Sequence, residues 1–396
     1  AARLRQYFER GGFLVVDDFH GEREWAQFMD GINRIFPNST VIELEDDAAI
    51  FHTVFDLSQR YQVSGLQVVR GMPYERGGID PHWRAVVDAK GRVVMQAGDF
   101  EGPVFWRSTA KFVQALSLFR SGAMARFGFT DRELALACGS HSGGDEHVAL
   151  AHSMLDRIGA TVDDLHCGPH TPLGPDEAKR LLAEKRPPTK LHNNCSGKHA
   201  AMLAACRARG WPIQDYNRHH HPLQQEILAH LSTVSGIDAE HIQLAVDGCG
   251  AVVFRTPLHG LARAYARLAG DALPAPHQAS GQRIRRAIAA APEMVAGPGR
   301  LCTDLMKVSG RNLIAKIGAD GVYGLAAISS PQGPCGLAVK IEDGSMKLLG
   351  PLVCQLAAAL GWLDGHQLEQ LRPHWYQPVI NHQKELVGDV HVSIDS

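Results

Sequence analysis

Short β-branched runs stand at both ends of the stretch from residue 85 to 342, with helical patterns between them, and that order leaves few architectures open. At the front, Ala85-Val86-Val87-Asp88-Ala89-Lys90-Gly91-Arg92-Val93-Val94 reads as a hairpin, two β-branched runs around an Asp-x-x-Gly turn. At the back, strands are expected over 312–317, 322–328 and 335–342, then a last helix over 349–362. In between, apolar spacing predicts helices over 108–122, 131–137, 145–159, 175–185, 197–209, 222–235, 257–269 and 281–292. Strands so remote in sequence bury their faces by pairing with one another. The expectation is an α+β fold: a mixed or antiparallel sheet interrupted by a helical insertion.

The first 97 or so residues have another texture, rich in aromatics. Gly11-Gly12 followed by Phe13-Leu14-Val15-Val16 reads as a helix stop and a buried strand, Glu22 to Ile35 has helical spacing, and Val41-Ile42-Glu43-Leu44 reads as a second strand. This order suggests a small α/β segment over 1–85, ahead of a larger domain over 86–396. Asp17, Asp18 and His20, at the end of the first strand, are either a site of a doubly wound sheet or a solvated loop.

Charge and cysteine usage narrow the class. The 40 Lys+Arg set against 42 Asp+Glu leave a net charge of −2, which argues against a nucleic-acid partner. The most apolar stretch, Leu348 to Leu363, is too short to span a bilayer. The chain opens Ala1-Ala2-Arg3-Leu4-Arg5, with no Met and no signal-peptide run, so it reads as a piece of a longer chain. Its eight cysteines include no Cys-x-x-Cys pair and imply reduced thiols in a cytoplasmic protein.

Several segments carry residues able to do chemistry. Ser108 and Lys111 lie one helical turn apart, where a desolvated, neutral lysine would take the serine proton and make a nucleophile. The same spacing equally fits an N-cap serine beside an exposed lysine. Cys138-Gly139-Ser140-His141-Ser142-Gly143-Gly144 gathers small residues and hydroxyls at a helix end, either for a polar ligand or as an ordinary turn. Cys195 and Lys198 share a helix face and would bind zinc with a distant thiolate such as Cys249; inert buried thiols are the competing reading. The tract His219-His220-His221 before Pro222 fits an exposed loop better than a metal site. Lys316, among Leu313, Ile314 and Ile317, is either an edge lysine or a buried functional one.

Taken together, the segments after residue 85 resemble the asparaginase II family, zinc-associated L-asparaginases with a serine-β-lactamase-like fold. The resemblance rests on Arg107-Ser108-Thr109-Ala110-Lys111, Ser140-His141-Ser142, Asn194-Cys195-Ser196-Gly197-Lys198-His199, His221-Pro222 and Asp247-Gly248-Cys249. It continues through Pro292-Glu293-Met294-Val295-Ala296-Gly297, Lys316-x-Gly318-Ala319-Asp320-Gly321 and Lys340-Ile341-Glu342-Asp343-Gly344. It implies two dyads facing one pocket, Ser108–Lys111 and Ser140–Lys316, and a zinc ion held by Cys195, Lys198 and Cys249. It also implies a substrate site lined by Arg107, His199 and Asp247, and hydrolysis of L-asparagine to L-aspartate and ammonia by a homodimer. Residues 1–97 resemble instead the end of a bacterial domain of unknown function. Two other readings compete: another Ser–Lys amidase or penicillin-recognising hydrolase, and a zinc- or amino-acid-binding protein without catalysis.

Overall fold

The computed structural model describes residues 82–390, 392 and 394, and before them only 28–30, 32–34 and 36. The chain divides into two units, Ala1–Pro81 and His82–Ser396. Of the first unit, residues 28–30 and 32–34 are helical, within the helix expected over 22–35. The strands expected at 13–16 and 41–44, and Asp17, Asp18 and His20, lie outside the described residues.

In the second unit the two ends of the sequence meet in one sheet. β1 (His82–Asp88) turns back through Asp88, whose carboxylate accepts the Lys90 and Arg92 N–H groups at 2.9 Å each, into β2 (Val93–Ala97). β1 then pairs with a strand some 250 positions away, β8 (Cys335–Ile341), beside β7 (Val322–Ala327) and β6 (Leu313–Ile317). The order is β2-β1-β8-β7-β6, and every strand pair among the described residues is antiparallel. This is the α+β arrangement the sequence predicts, with helices inserted between β2 and β6.

All six residues of β7 are buried, so the sheet is covered on both faces. One cover is the helix Leu258–Ala269, close to the expected 257–269. It lies so near β8 that a Cβ on Gly336 would stand 2.1 Å from the Ala262 carbonyl oxygen and 2.3 Å from the Ala266 nitrogen. Only glycine permits that approach.

Other elements depart from expectation. The single helix expected over 108–122 is broken into a 3₁₀ turn, Arg107–Ala110, and two short helices, Lys111–Gln114 and Leu116–Arg120. The helix expected to end at 292 runs from Gln278 to Ala290, because Pro292, with no N–H to donate, starts a new turn, Pro292–Val295. A second sheet was not anticipated: β3 (Pro103–Phe105) and β4 (Gln243–Val246) flank β5 (Val252–Pro257). β3 and β4 are short and half exposed, so their apolar alternation is faint. The helix Leu301–Val308 and a hairpin of β9 (Gln377–Ile380) and β10 (Leu386–Val390) are likewise additional. Among the described residues no helix is long and apolar enough to cross a membrane.

Replacing Gly336 with Ala is expected to cost roughly 1–3 kcal/mol, because neither strand nor helix can yield at that contact. Urea unfolding of the two proteins checks this; equal midpoints would mean that the helix shifts freely.

Candidate active site

The segment that carries Arg107 and Ser108 is pinned before it reaches the site. Trp106 N–H donates to the Phe254 carbonyl at 2.9 Å and its indole N–H to Thr256 Oγ1 at 2.7 Å, while Tyr265 Oη donates to the Thr109 carbonyl at 3.0 Å. Arg107 then takes φ = +49°, a left-handed conformation costly for a side chain with a Cβ. Its guanidinium is held by two carboxylates: Nε donates to Asp247 Oδ1 at 2.8 Å, and a terminal nitrogen pairs with Asp320.

The amine of Lys111 does not turn to Ser108. It donates to Ser140 Oγ at 3.0 Å, to the Asn194 carbonyl at 3.4 Å and to the Gly139 carbonyl. From the other side Lys316, on β6, donates to the same Ser140 Oγ at 2.8 Å and to the Ile317 carbonyl at 2.7 Å. The two separate dyads expected from the motifs are therefore one cluster. Ser108 and Lys111 share a helical turn, but the lysine side chain crosses to the Cys138–Gly144 turn, while Ser108 makes no hydrogen bond to it. The Ser140–Lys316 pair is formed as expected.

Both lysines are almost wholly buried, at 1% and 6% exposure. Burial lowers the pKa of Lys111. Burial, with the neighbouring Lys111 charge second, brings Lys316 down to about 7. Two ammonium groups on one hydroxyl repel each other, so one amine gives up its proton near neutrality.

Beside this cluster opens a pocket of about 320 Å³, bordered by Arg107, Ser108, His170, Asn194, Cys195, Asp247 and Cys249. Ser108 faces it; Ser140 is buried, at 3% exposure, and does not line it. In the pocket wall Lys198 Nζ donates to Cys249 Sγ at 2.9 Å, and Cys249 Sγ lies 3.6 Å from Asp247 Oδ2. A hydrogen bond from Cys195, together with the Lys198 charge, brings the Cys249 thiol down to about 5 despite its burial. The reciprocal bond and burial push Cys195 up to about 12. The result is a thiolate gripped by a thiol and an ammonium. Burial raises the pKa of Asp247, but the Lys198 and Arg107 charges outweigh it and keep the carboxylate ionised.

Of the residues expected around the substrate, Arg107 and Asp247 border the pocket and His199 does not. His199 is fully buried, with Nδ1 2.6 Å from Tyr216 Oη. That hydroxyl also accepts the His166 N–H at 3.0 Å, and His199 Nε2 has no hydrogen-bond partner among the described residues. Burial, the largest influence, brings His199 down to about 3 and keeps it neutral. Of the histidine tract expected as an exposed loop, His219 and His220 are exposed but His221 is buried: it caps the helix Pro222–Ser235, accepting the Leu223 N–H at 3.2 Å and contacting the Pro212 carbonyl at 2.9 Å.

His170, on the pocket edge, and Arg300, on the Ser140 carbonyl, were not singled out from the sequence. His170 accepts the Asn194 N–H at 3.0 Å at the pocket edge. Arg300 donates to the Ser140 carbonyl at 2.6 Å. Nothing in their immediate sequence, a His-Thr-Pro turn and a Gly-Pro-Gly-Arg turn, distinguishes them from solvated loops.

With this geometry in view, comparison with protein families is decisive. The family model described as L-asparaginase II matches residues 78–392. The chain belongs to the L-asparaginase II family, whose members hydrolyse amides. A second family model, a domain of unknown function (DUF4159), matches residues 1–97, so the two overlap over 78–97. Among solved structures the chain is similar to a Bacillus glutaminase, at 14% identity and TM-score 0.33, over 71% of this chain and 92% of that one. It is also similar to the Bacillus subtilis glutaminase YbgJ in a covalent complex with 5-oxo-L-norleucine, at 12% identity and TM-score 0.31, over 76% and 88% of the two chains. No curated protein matches the chain.

Proposed function

We propose that this chain hydrolyses L-asparagine to L-aspartate and ammonia through a serine acyl-enzyme. The observation that carries the reading is the meeting of two buried lysine amines on Ser140 Oγ, beside a pocket that Ser108 borders. The division of labour follows from position. Ser108 Oγ, open to the pocket, attacks the side-chain amide carbon. Its proton passes through Ser140 to whichever lysine is neutral and returns from there to the departing ammonia. Water then cleaves the ester, with the same hydroxyl and amines taking and giving back its proton.

The pocket ends suit an amino acid. Asp247 borders the pocket as a carboxylate for an α-ammonium group, and Arg107 would donate to an α-carboxylate from the terminal nitrogen that neither Asp247 nor Asp320 takes.

Cys195, Lys198 and Cys249 would hold a zinc ion. Their chemistry fits it: two sulfurs and an amine converge, one sulfur is already a thiolate, and the amine would ligate after losing its proton. Bound zinc would supply positive charge at the pocket wall, where polar groups of the substrate lie. The measurement is metal content of the full chain after dialysis against zinc. About one equivalent per chain is expected, falling towards zero in Cys249→Ser; equal content in both would rule out this site.

Ammonia release from L-asparagine tests the reaction, with the parent chain beside Ser108→Ala and Ser140→Ala. Loss of the nucleophile in Ser108→Ala is expected to cost at least about 10³-fold in kcat. Loss of the relay in Ser140→Ala is expected to cost roughly 10²–10⁴-fold. A parent that binds asparagine or zinc and releases no ammonia would favour a binding protein instead. Full activity in Ser108→Ala would move the attack to Ser140.

The pH dependence has a definite sign. A lysine works as a base only when neutral, so kcat/KM is expected to rise as pH increases through about 7, where Lys316 loses its proton. In Lys316→Met this limb should vanish or move to the value of the remaining lysine. A limb unmoved by that change would exclude Lys316 as its source.

A further inference from the structure

Arg300 stands just before the helix Leu301–Val308, on a strap that runs from Pro292 along the Ser140 turn. The strap and the turn are joined by their backbones and hydroxyls. Ser140 N–H donates to the Val295 carbonyl at 2.7 Å, and Ser142 Oγ donates to the Ala296 carbonyl at 2.9 Å. At Gly297, φ is +133° and a Cβ would lie 2.2 Å from Ser142 Oγ, so no side chain fits there. The strap itself is held from outside by Thr303 Oγ1 on the Pro292 carbonyl at 3.1 Å and by His147 Nε2 at 2.9 Å from the Glu293 carbonyl.

Arg300 closes this arrangement. One terminal nitrogen donates both to the Ser140 carbonyl at 2.6 Å and to the Ala296 carbonyl at 3.2 Å, bridging turn and strap. The titratable groups that face it are Lys316, His141, His147, Cys302 and Tyr323, and no carboxylate pairs with it among the described residues. A surface arginine would find an acid or water; this one has two carbonyl oxygens for partners and a lysine for a neighbour. A guanidinium in such surroundings stays charged where an amine does not, because its proton is held far more tightly.

We propose that Arg300 is a positioning residue of the site: it ties the Ser140 carbonyl to the Ala296 carbonyl and keeps a permanent positive charge behind Lys316. The inference rests on the serine–lysine reading above. It follows that Arg300 does two separable things. Its terminal nitrogen, bonded to both carbonyls, sets where Ser140 Oγ sits between the two amines, and its charge, on the other side of Ser140 from the Lys316 amine, favours the neutral form of Lys316.

Two variants of the full chain separate these roles, Arg300→Met and Arg300→Lys, each checked by its thermal midpoint. The primary readout is competitive acetylation of Lys316 with acetic anhydride across pH, followed on its peptide by mass spectrometry, which needs no activity. In Arg300→Met the midpoint of labelling should rise by about one pH unit, and the acid limb of kcat/KM should rise with it. In Arg300→Lys the charge is retained, so the midpoint should stay within about 0.3 units of the parent. Its kcat should fall roughly 10- to 100-fold, because the lysine side chain is one bond shorter than the path to the arginine terminal nitrogen and its ammonium does not reach the point that serves both carbonyls. An unmoved midpoint in Arg300→Met, or an unchanged kcat in Arg300→Lys, overturns the proposal. If Arg300→Met does not fold, the Arg300→Lys comparison decides. A parent that releases no ammonia while its labelling midpoint still responds to Arg300→Met would sink the asparagine reading and leave the role of Arg300 standing.

Discussion

Two lysine amines, both removed from water, share one serine hydroxyl, and the rest of the site is arranged around the cost of that contact. Bringing an ammonium group out of water is unfavourable, and bringing in a second beside it is more so. Among the described residues no carboxylate pairs with either lysine. The protein gives them carbonyl oxygens instead, Gly139 and Asn194 for Lys111 and Ile317 for Lys316. Carbonyl dipoles hold an amine in place without stabilising its charge as an anion would. The outcome is an amine neutral near physiological pH, which is what a hydroxyl proton needs as its acceptor.

That contact can exist only where distant parts of the chain are held rigid. Lys316 is fixed because β6 is bonded to β7, with Lys316 opposite Gly324 in the register. Lys111 is fixed because the turn before it is fastened to β5 through Trp106 and to the helix Leu258–Ala269 through Tyr265. Ser140 is fixed by the strap from Pro292 to Arg300. The three supports come from different parts of the chain, and each includes a hydrogen bond to a backbone carbonyl. The thiolate of Cys249, gripped by Lys198 and Cys195, adds a second polar cluster in the pocket wall, so the pocket opens between Ser108 and a sulfur–carboxylate side.

Much of the frame was legible beforehand, for reasons tied to particular residues. Leu313–Ile317, Val322–Ala327 and Cys335–Ile341 are short apolar runs bounded by turn residues, and they read as strands because nothing else buries such runs. The helix Asp131–Ala137 follows its apolar spacing, and Pro222–Ser235 begins at its helix-starting proline. The second sheet escaped notice because Pro103–Phe105 has three residues and Gln243–Val246 is largely exposed, so neither shows a usable period. Arg300 escaped notice because an arginine after Gly-Pro-Gly looks like any solvated loop residue until its carbonyl partners are in place.

By itself the sequence determined the α+β order, the family and the set of chemical groups: two serines, two lysines, two cysteines with a lysine, and an arginine with an aspartate. These depend on local spacing and residue type, which a linear reading preserves. Only the tertiary structure decided which of them meet. Ser108 and Lys111 are three positions apart, yet the Lys111 amine lies on Ser140, 29 positions away, because a lysine has four rotatable carbons and takes the carbonyls and hydroxyl that burial offers it. Spacing along a helix fixes where a Cα stands. Where a long charged side chain ends is settled by desolvation and by the partners that packing brings within its reach.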